Sequence, residues 1–267
     1  LQSGHTDYRL FRVAGLDKVR RQEGTVEVTG EQAMAAANRL RRRAAGAHVP
    51  KRAAISRRDR PPTIDGRPDD WDRDRDIRWD KSGRFKAAVS AAWDAEALYL
   101  CYVVQDDSPW RNHGKDWTTL FKTGDSVDLQ IASDPSADPS RRGPVPGDVR
   151  LLIAPHEGAP LAVLYRHRVP GAAKPVTFTS PWRSETVDEV RRLDGVRVAV
   201  TTHGGGYCVE AAVPLAALGL KEPAGKTFQA DVGVLFGDPD GRMTTLRSYW
   251  SNQATALVSD VPGEIML

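Results

Sequence analysis

Past residue 62 the chain is a series of short apolar stretches cut by turn signals. Phe85–Trp93 alternates loosely and is small and apolar, Asp94–Ala95–Glu96 makes a tight turn, and Ala97–Gln105 follows as the second arm of a hairpin. Further strands are predicted at Ser126–Ala132, Val149–Ala154, Leu161–Arg166, Val196–Thr202, Tyr207–Val213, Thr227–Phe236 and Met243–Trp250. Glycine or proline clusters separate most of them, among them Gly143–Pro144, Gly158–Pro160, Gly204–Gly206 and Pro239–Gly241. Many short strands with regular turn signals predict an all-β sandwich or barrel. Pro214–Leu218 reads as one helical turn at a corner, and Trp71, Trp79, Trp93 and Trp250 fall where a core needs bulk.

The first 61 residues have a different texture. Tyr8–Val13 and Thr25–Val28 alternate like strands with one apolar face. Thr29 with Gln32 forms a capping-box pattern, and an Ala-rich helix is predicted through about Ala45, with Arg41, Arg42 and Arg43 at its carboxyl end and Gly46 to stop it. Residues 46–61, rich in arginine and carrying Pro50 and Pro61, read as a linker. The expected organisation is therefore a strand–helix extension over 1–61, the remnant of a preceding domain, and a β-sandwich over 62–267. A chain that begins at Leu1 is read as a mature form or a piece of something longer.

One interruption breaks the pattern. Between the apolar runs ending at Gln105 and starting at Ser126 lies a polar insert of about twenty residues, too long for a turn and of a length that in compact domains is usually functional or disordered. It holds Trp110 and Trp117 beside Arg111, Asn112, Lys115 and Lys122. Indole faces among hydrogen-bonding groups suit a sugar platform, the rings packing on C–H bonds and the neighbours holding hydroxyls.

Composition narrows the alternatives. With 38 basic and 35 acidic residues the net charge is only +3, little support for a nucleic-acid partner, and the basic run Lys51–Arg60 reads as a solvated linker. No stretch approaches the ~18 apolar residues that cross a bilayer. Cys101 and Cys208 both fall in predicted strands, either as a cross-strand pair or as two buried thiols. The six histidines show no metal-ligand spacing, and no phosphate loop or nucleophile motif is present, so a non-catalytic role is expected.

The ordered set IDG, DDW, AAWDAEALYLCYVVQDD, DSVDLQI, GYCVEAAVPLAAL, DVGVLFGD and SYWS resembles carbohydrate-binding module family 9 and its wider DOMON-like group over about residues 62–252. The resemblance implies an immunoglobulin-like or jelly-roll antiparallel β-sandwich that binds glycan chain ends, commonly with structural calcium. It also implies a clamp of two indoles with an acid, an arginine and amides. Here Trp117 is the nearest match to one indole, with Trp110 as its rival and Asn112 beside them. Asp128 matches the acid, one methylene shorter than the usual Glu, and Arg150 matches the arginine. The segment after Trp250 has no aromatic, and Leu235 replaces an expected amide. Trp182 is the candidate to complete the clamp; failing that, the sandwich is a structural or docking domain. Calcium would draw on Asp106, Asp107 and Asp125, with Asp125 and Asp128 expected on one sheet face near Arg150. The implied partners are a polysaccharide or oligosaccharide and neighbouring domains of a larger secreted, planctomycete-type protein, in a secreted or periplasmic setting, with no nucleic acid and no membrane.

Overall fold

The computed structural model describes residues 51–139, 141, 143–180, 183–251 and 264–267. The strands and helix expected within 1–50, and Trp182, lie outside the described residues. The fold starts with β1 (Arg52–Ala54), β2 (Ser56–Arg57), β3 (Ile77–Asp80), β4 (Lys86–Trp93), β5 (Ala97–Gln105), β6 (Ser126–Ala132), β7 (Asp148–His156) and β8 (Ala159–Arg166). It continues with β9 (Val176–Ser180), β10 (Arg183–Val187), β11 (Glu189–Arg192), β12 (Arg197–His203), β13 (Gly206–Pro214), α1 (Leu215–Leu218), β14 (Thr227–Gly237), β15 (Thr244–Tyr249) and β16 (Glu264–Met266).

Two sheets face each other. One runs β1-β16-β14-β6-β7-β8-β11, with β15 also on β14; the other runs β12-β13-β5-β4-β2, with β3 also on β4; β9 and β10 form a separate hairpin. Pairing is antiparallel except for β1 with β16 and β2 with β4. This is the all-β sandwich that the strand pattern predicts. Period-two alternation builds its core: Val127, Leu129 and Ile131 of β6 and Val149, Leu151 and Ile153 of β7 meet Leu98, Leu100, Tyr102 and Val209 from the other sheet. Trp79, Trp93 and Trp250 join that core, while Trp71 is buried in a smaller cluster with Tyr99, Cys101 and Cys208.

That smaller cluster explains why β4 and β5 are apolar on both faces. The outer face of their sheet is covered by the 62–71 loop, pinned by Glu210, which is fully buried and accepts from Asp65 N at 2.9 Å, Gly66 N at 2.6 Å and Trp71 Nε1 at 2.5 Å. Thr63 and Ile64 lie in this loop and form no strand. Cys101 and Cys208 are free thiols with sulfurs 3.6 Å apart. The hairpin between β4 and β5 is closed by Asp94, whose Oδ1 accepts from Glu96 N and Ala97 N.

The linker reading of 46–61 does not hold for its second half. β1 and β2 add to the two sheets, Ile55 between them is buried in the core, and Arg58 N donates to Trp93 O. Alternation over so few residues gives no strand signal, because the partner β16 is more than two hundred positions away. The sandwich therefore begins before residue 62.

Candidate functional site

The functional candidates from the insert and from β6 and β7 collect on the outer face of the larger sheet. On β6, inward Val127, Leu129 and Ile131 leave Ser126, Asp128 and Gln130 outward. Register aligns Tyr249, Gly233 and Asp128 across β15, β14 and β6, and Gln130, Arg150 and Tyr165 across β6, β7 and β8. Arg150 reaches diagonally to Asp128, its Nε 3.0 and 2.9 Å from the two carboxylate oxygens and Nη2 2.7 Å from Oδ2. Tyr249 OH donates to Asp128 Oδ2 at 2.5 Å. Only glycine at 233 allows this, since a Cβ there would lie 2.4 Å from the Tyr249 ring.

A roof closes over the pair. The insert ends in two 3-10 turns over Trp117–Lys122, kinked at Thr119. It delivers Leu120 and Phe121 into an apolar cluster with Leu152, Val163, Tyr165, Val187, Leu235 and Tyr249, joined by Phe178 from the β9–β10 hairpin. The Phe121 and Phe178 rings meet edge to face at 5.3 Å, and Arg150 is held between Phe121 (5.1 Å) and Tyr165 (5.6 Å). Burial disfavours the Arg150 charge, but the Asp128 carboxylate together with Tyr249 and Tyr165 offsets it and holds the guanidinium well above its ordinary value. Asp128 is 0% and Arg150 4% exposed, so the acid and the arginine meet as expected but sit inside the protein.

The two indoles part company. Trp110 packs on the main core against Tyr207, ring centroids 4.5 Å apart. Trp117 packs half-buried on the roof cluster with Arg192 5.3 Å from its ring centroid. They do not form one clamp. Asn112 is buried and its amide is saturated: Nδ2 donates to Leu120 O (2.8 Å) and Asp125 O (3.2 Å), and Oδ1 accepts from Gly114 N (3.1 Å) and Thr123 Oγ1 (2.7 Å). It shapes the insert from within.

Asp125 and Asp128 do not share a face. Three positions is an odd step on a period-two strand, so Asp125 turns to the other side. There it accepts from Arg111 N at 2.9 Å and Gly237 N at 2.6 Å, tying the insert to β14. Burial, reinforced by Asp106 and Asp238, pushes it up to about 7. Asp106 is buried too, raised by burial, with Oδ1 taking Ser108 N and Oγ. Asp107 points away into an exposed ion pair with Arg84 at 2.6 Å. Among the described residues no three acidic, histidine or cysteine side chains converge to hold an ion. The trio Asp106, Asp107 and Asp125 therefore does not fit the calcium site expected of it.

Residues that the sequence did not flag surround the roof: Phe121, Tyr165, Arg192, Arg247 and Tyr249. Phe121 lies within the conspicuous insert and could have been weighed beside the tryptophans. Arg192 carries no such signal, since only the pairing of β11 with β8 brings it to Trp117.

These features define a two-sheet β-sandwich with one outer face roofed by an insert and a hairpin. Its fold is that of the carbohydrate-binding module family 9 type. It is similar to a family 9 module from Caldicellulosiruptor kristjanssonii in complex with cellotriose, with TM-score 0.51 and 19% identity over 81% of this chain and 93% of that one. The same kind of module in complex with glucose matches with TM-score 0.49 and 20% identity over 81% and 95%. No protein-family profile and no curated protein matches the sequence.

Proposed function

We propose that this chain is a non-catalytic carbohydrate-binding sandwich of a larger secreted or periplasmic protein, and that it takes glycan at the rim of the roofed face. The observation that carries the reading is Trp117. Its ring stands half-buried at the start of the Trp117–Lys122 turns, packed on the apolar cluster whose Phe121 and Tyr165 hold Arg150. The likeness to a module in complex with cellotriose supports the ligand class. In this reading Asp128 and Arg150 do not grip hydroxyls. They hold the floor and, through the Arg150 contact with Phe121, the height of the roof. Ligand contact falls to the ring edge of Trp117 and the polar groups around it. Titration calorimetry with a panel of neutral and acidic oligosaccharides tests this. Binding that weakens about fivefold or more, ~1 kcal/mol, in Trp117→Ala supports it.

A second reading has its own support. Asn112, Asp125 and Asp128 spend their polar groups on the protein itself and Arg150 is ion-paired with Asp128, as expected of a structural or docking sandwich. A folded protein that gives no heat with any sugar in the panel would favour it.

A further inference from the structure

A neutral pyranose stacks its C–H face on an open aromatic face. Trp117 and the buried Phe121 beside it are already faced by the protein's own cations. Arg192 Cζ lies 5.3 Å from the Trp117 ring centroid, Lys122 Nζ 5.5 Å and Arg247 Cζ 5.9 Å from that of Phe121. Arg150, also on Phe121, has its charge matched by Asp128. Arg192 and Lys122 do not: among the described residues neither has a carboxylate within ion-pair distance, and both are exposed. Other cations of the protein do find one. Arg166 pairs with Glu189 at 2.9 Å, Arg191 lies 3.9 Å from the same carboxylate, and Arg84 and Arg141 each hold an aspartate. The insert adds exposed Arg111 and Lys115, and its one nearby acid, Asp116, is taken up capping Thr118 through N–H and Oγ1. A guanidinium resting on an indole keeps its N–H donors available at its edge, the geometry that matches a planar carboxylate.

The geometry points to an acidic glycan, one bearing uronic-acid carboxylates, as the ligand of this rim. The inference rests on the carbohydrate-binding reading above. The carboxylate meets Arg192, with Lys122 on the adjoining ring, and the sugar body lies along the Trp117 edge between them. The cation–ring stack orders Arg192 beforehand, so little side-chain freedom is lost on binding.

Calorimetry on the full chain with trigalacturonate, cellotriose, a sulfated oligosaccharide and polyglutamate, at low and at physiological salt, tests it. The expected result is binding of trigalacturonate at least about tenfold tighter than cellotriose, weakened by salt and reduced about tenfold in Arg192→Gln. Lys122→Gln should give a smaller loss, and both variants should keep the parent melting temperature, because the two side chains are exposed. Cellotriose bound as tightly as trigalacturonate, or affinity unchanged in both variants, would overturn the acidic-ligand inference while leaving carbohydrate binding intact. Preference for the sulfated sugar would reassign the acid group and overturn the uronic-acid assignment. Equal binding of polyglutamate would reduce the rim to a general polyanion patch. Binding of no ligand at all would remove both this inference and the reading it rests on.

Discussion

Asp128 and Arg150 are the residues whose neighbourhood most changes what they can do. A carboxylate and a guanidinium taken out of water are stable only while each keeps the other, so removing one partner is far costlier than removing both. Arg150→Leu should destabilise the fold by ~3–5 kcal/mol, and the Asp128→Asn/Arg150→Leu double variant by clearly less; urea denaturation of the three proteins measures the difference. If the double variant were no better than the single one, the pair would not be the stabilising unit of the floor. Asp231 offers a second test on the same face. Burial pushes it up to about 7, and its oxygens accept from Ser251 N at 3.1 Å and from Ser251 Oγ. The folded state thus holds that proton more tightly than an unfolded aspartate of ~3.9 does. Stability from this group is full below about pH 4 and is lost as pH rises through 7. Asp231→Asn keeps an acceptor for Ser251 N and gives Ser251 Oγ a donor. Its melting temperature should fall less between pH 5 and 8 than the parent's, though not to zero, because Asp125 titrates with the same sign.

At the scale of elements, the insert behaves as a folded lid with its own internal bonding. Asn112 is its centre, serving residues 114, 120, 123 and 125 at once. Asn112→Ala removes all four of these bonds and should cost ~2–4 kcal/mol, seen as faster protease cleavage within 106–125 than in the sheets. The strands themselves were largely legible. Ala97–Gln105 and Ser126–Ala132 are observed with the bounds that their apolar runs predict, and α1 sits at the expected corner. Local pattern sufficed there because one or both faces are buried. It failed for β9, β10 and β11, which are short and largely polar on the solvent side. The candidate site was legible as a set of residues and not as an arrangement. Asp128, Arg150 and Trp117 do gather on one face, yet the sequence could not show that Phe121, delivered by a kinked turn, would seal the acid and arginine beneath it.

The described sandwich closes by joining its first strand to its last. β1 runs parallel to β16, and β16 in turn continues the larger sheet through Thr227, Phe228 and Gln229 of β14. The seam is reinforced by Gly225 N donating to Leu267 O, Leu267 N donating to Lys226 O, and Lys51 Nζ donating to Trp250 O at 2.5 Å. Ile55 lies between β1 and β2 and is 8% exposed, and its carbonyl accepts from Trp93 Nε1. A chain shortened to begin at Pro61 therefore loses a strand from each sheet, one core side chain of ~1.5–3 kcal/mol and two hydrogen bonds to Trp93, through Ile55 O and Arg58 N. It should melt well below a chain beginning at Lys51, and its tryptophan fluorescence should report greater solvent access at Trp93. If 46–61 were a linker throughout, the two chains would melt together. The comparison thus separates a sandwich that starts at residue 62 from one that recruits its preceding segment as an edge on both sheets.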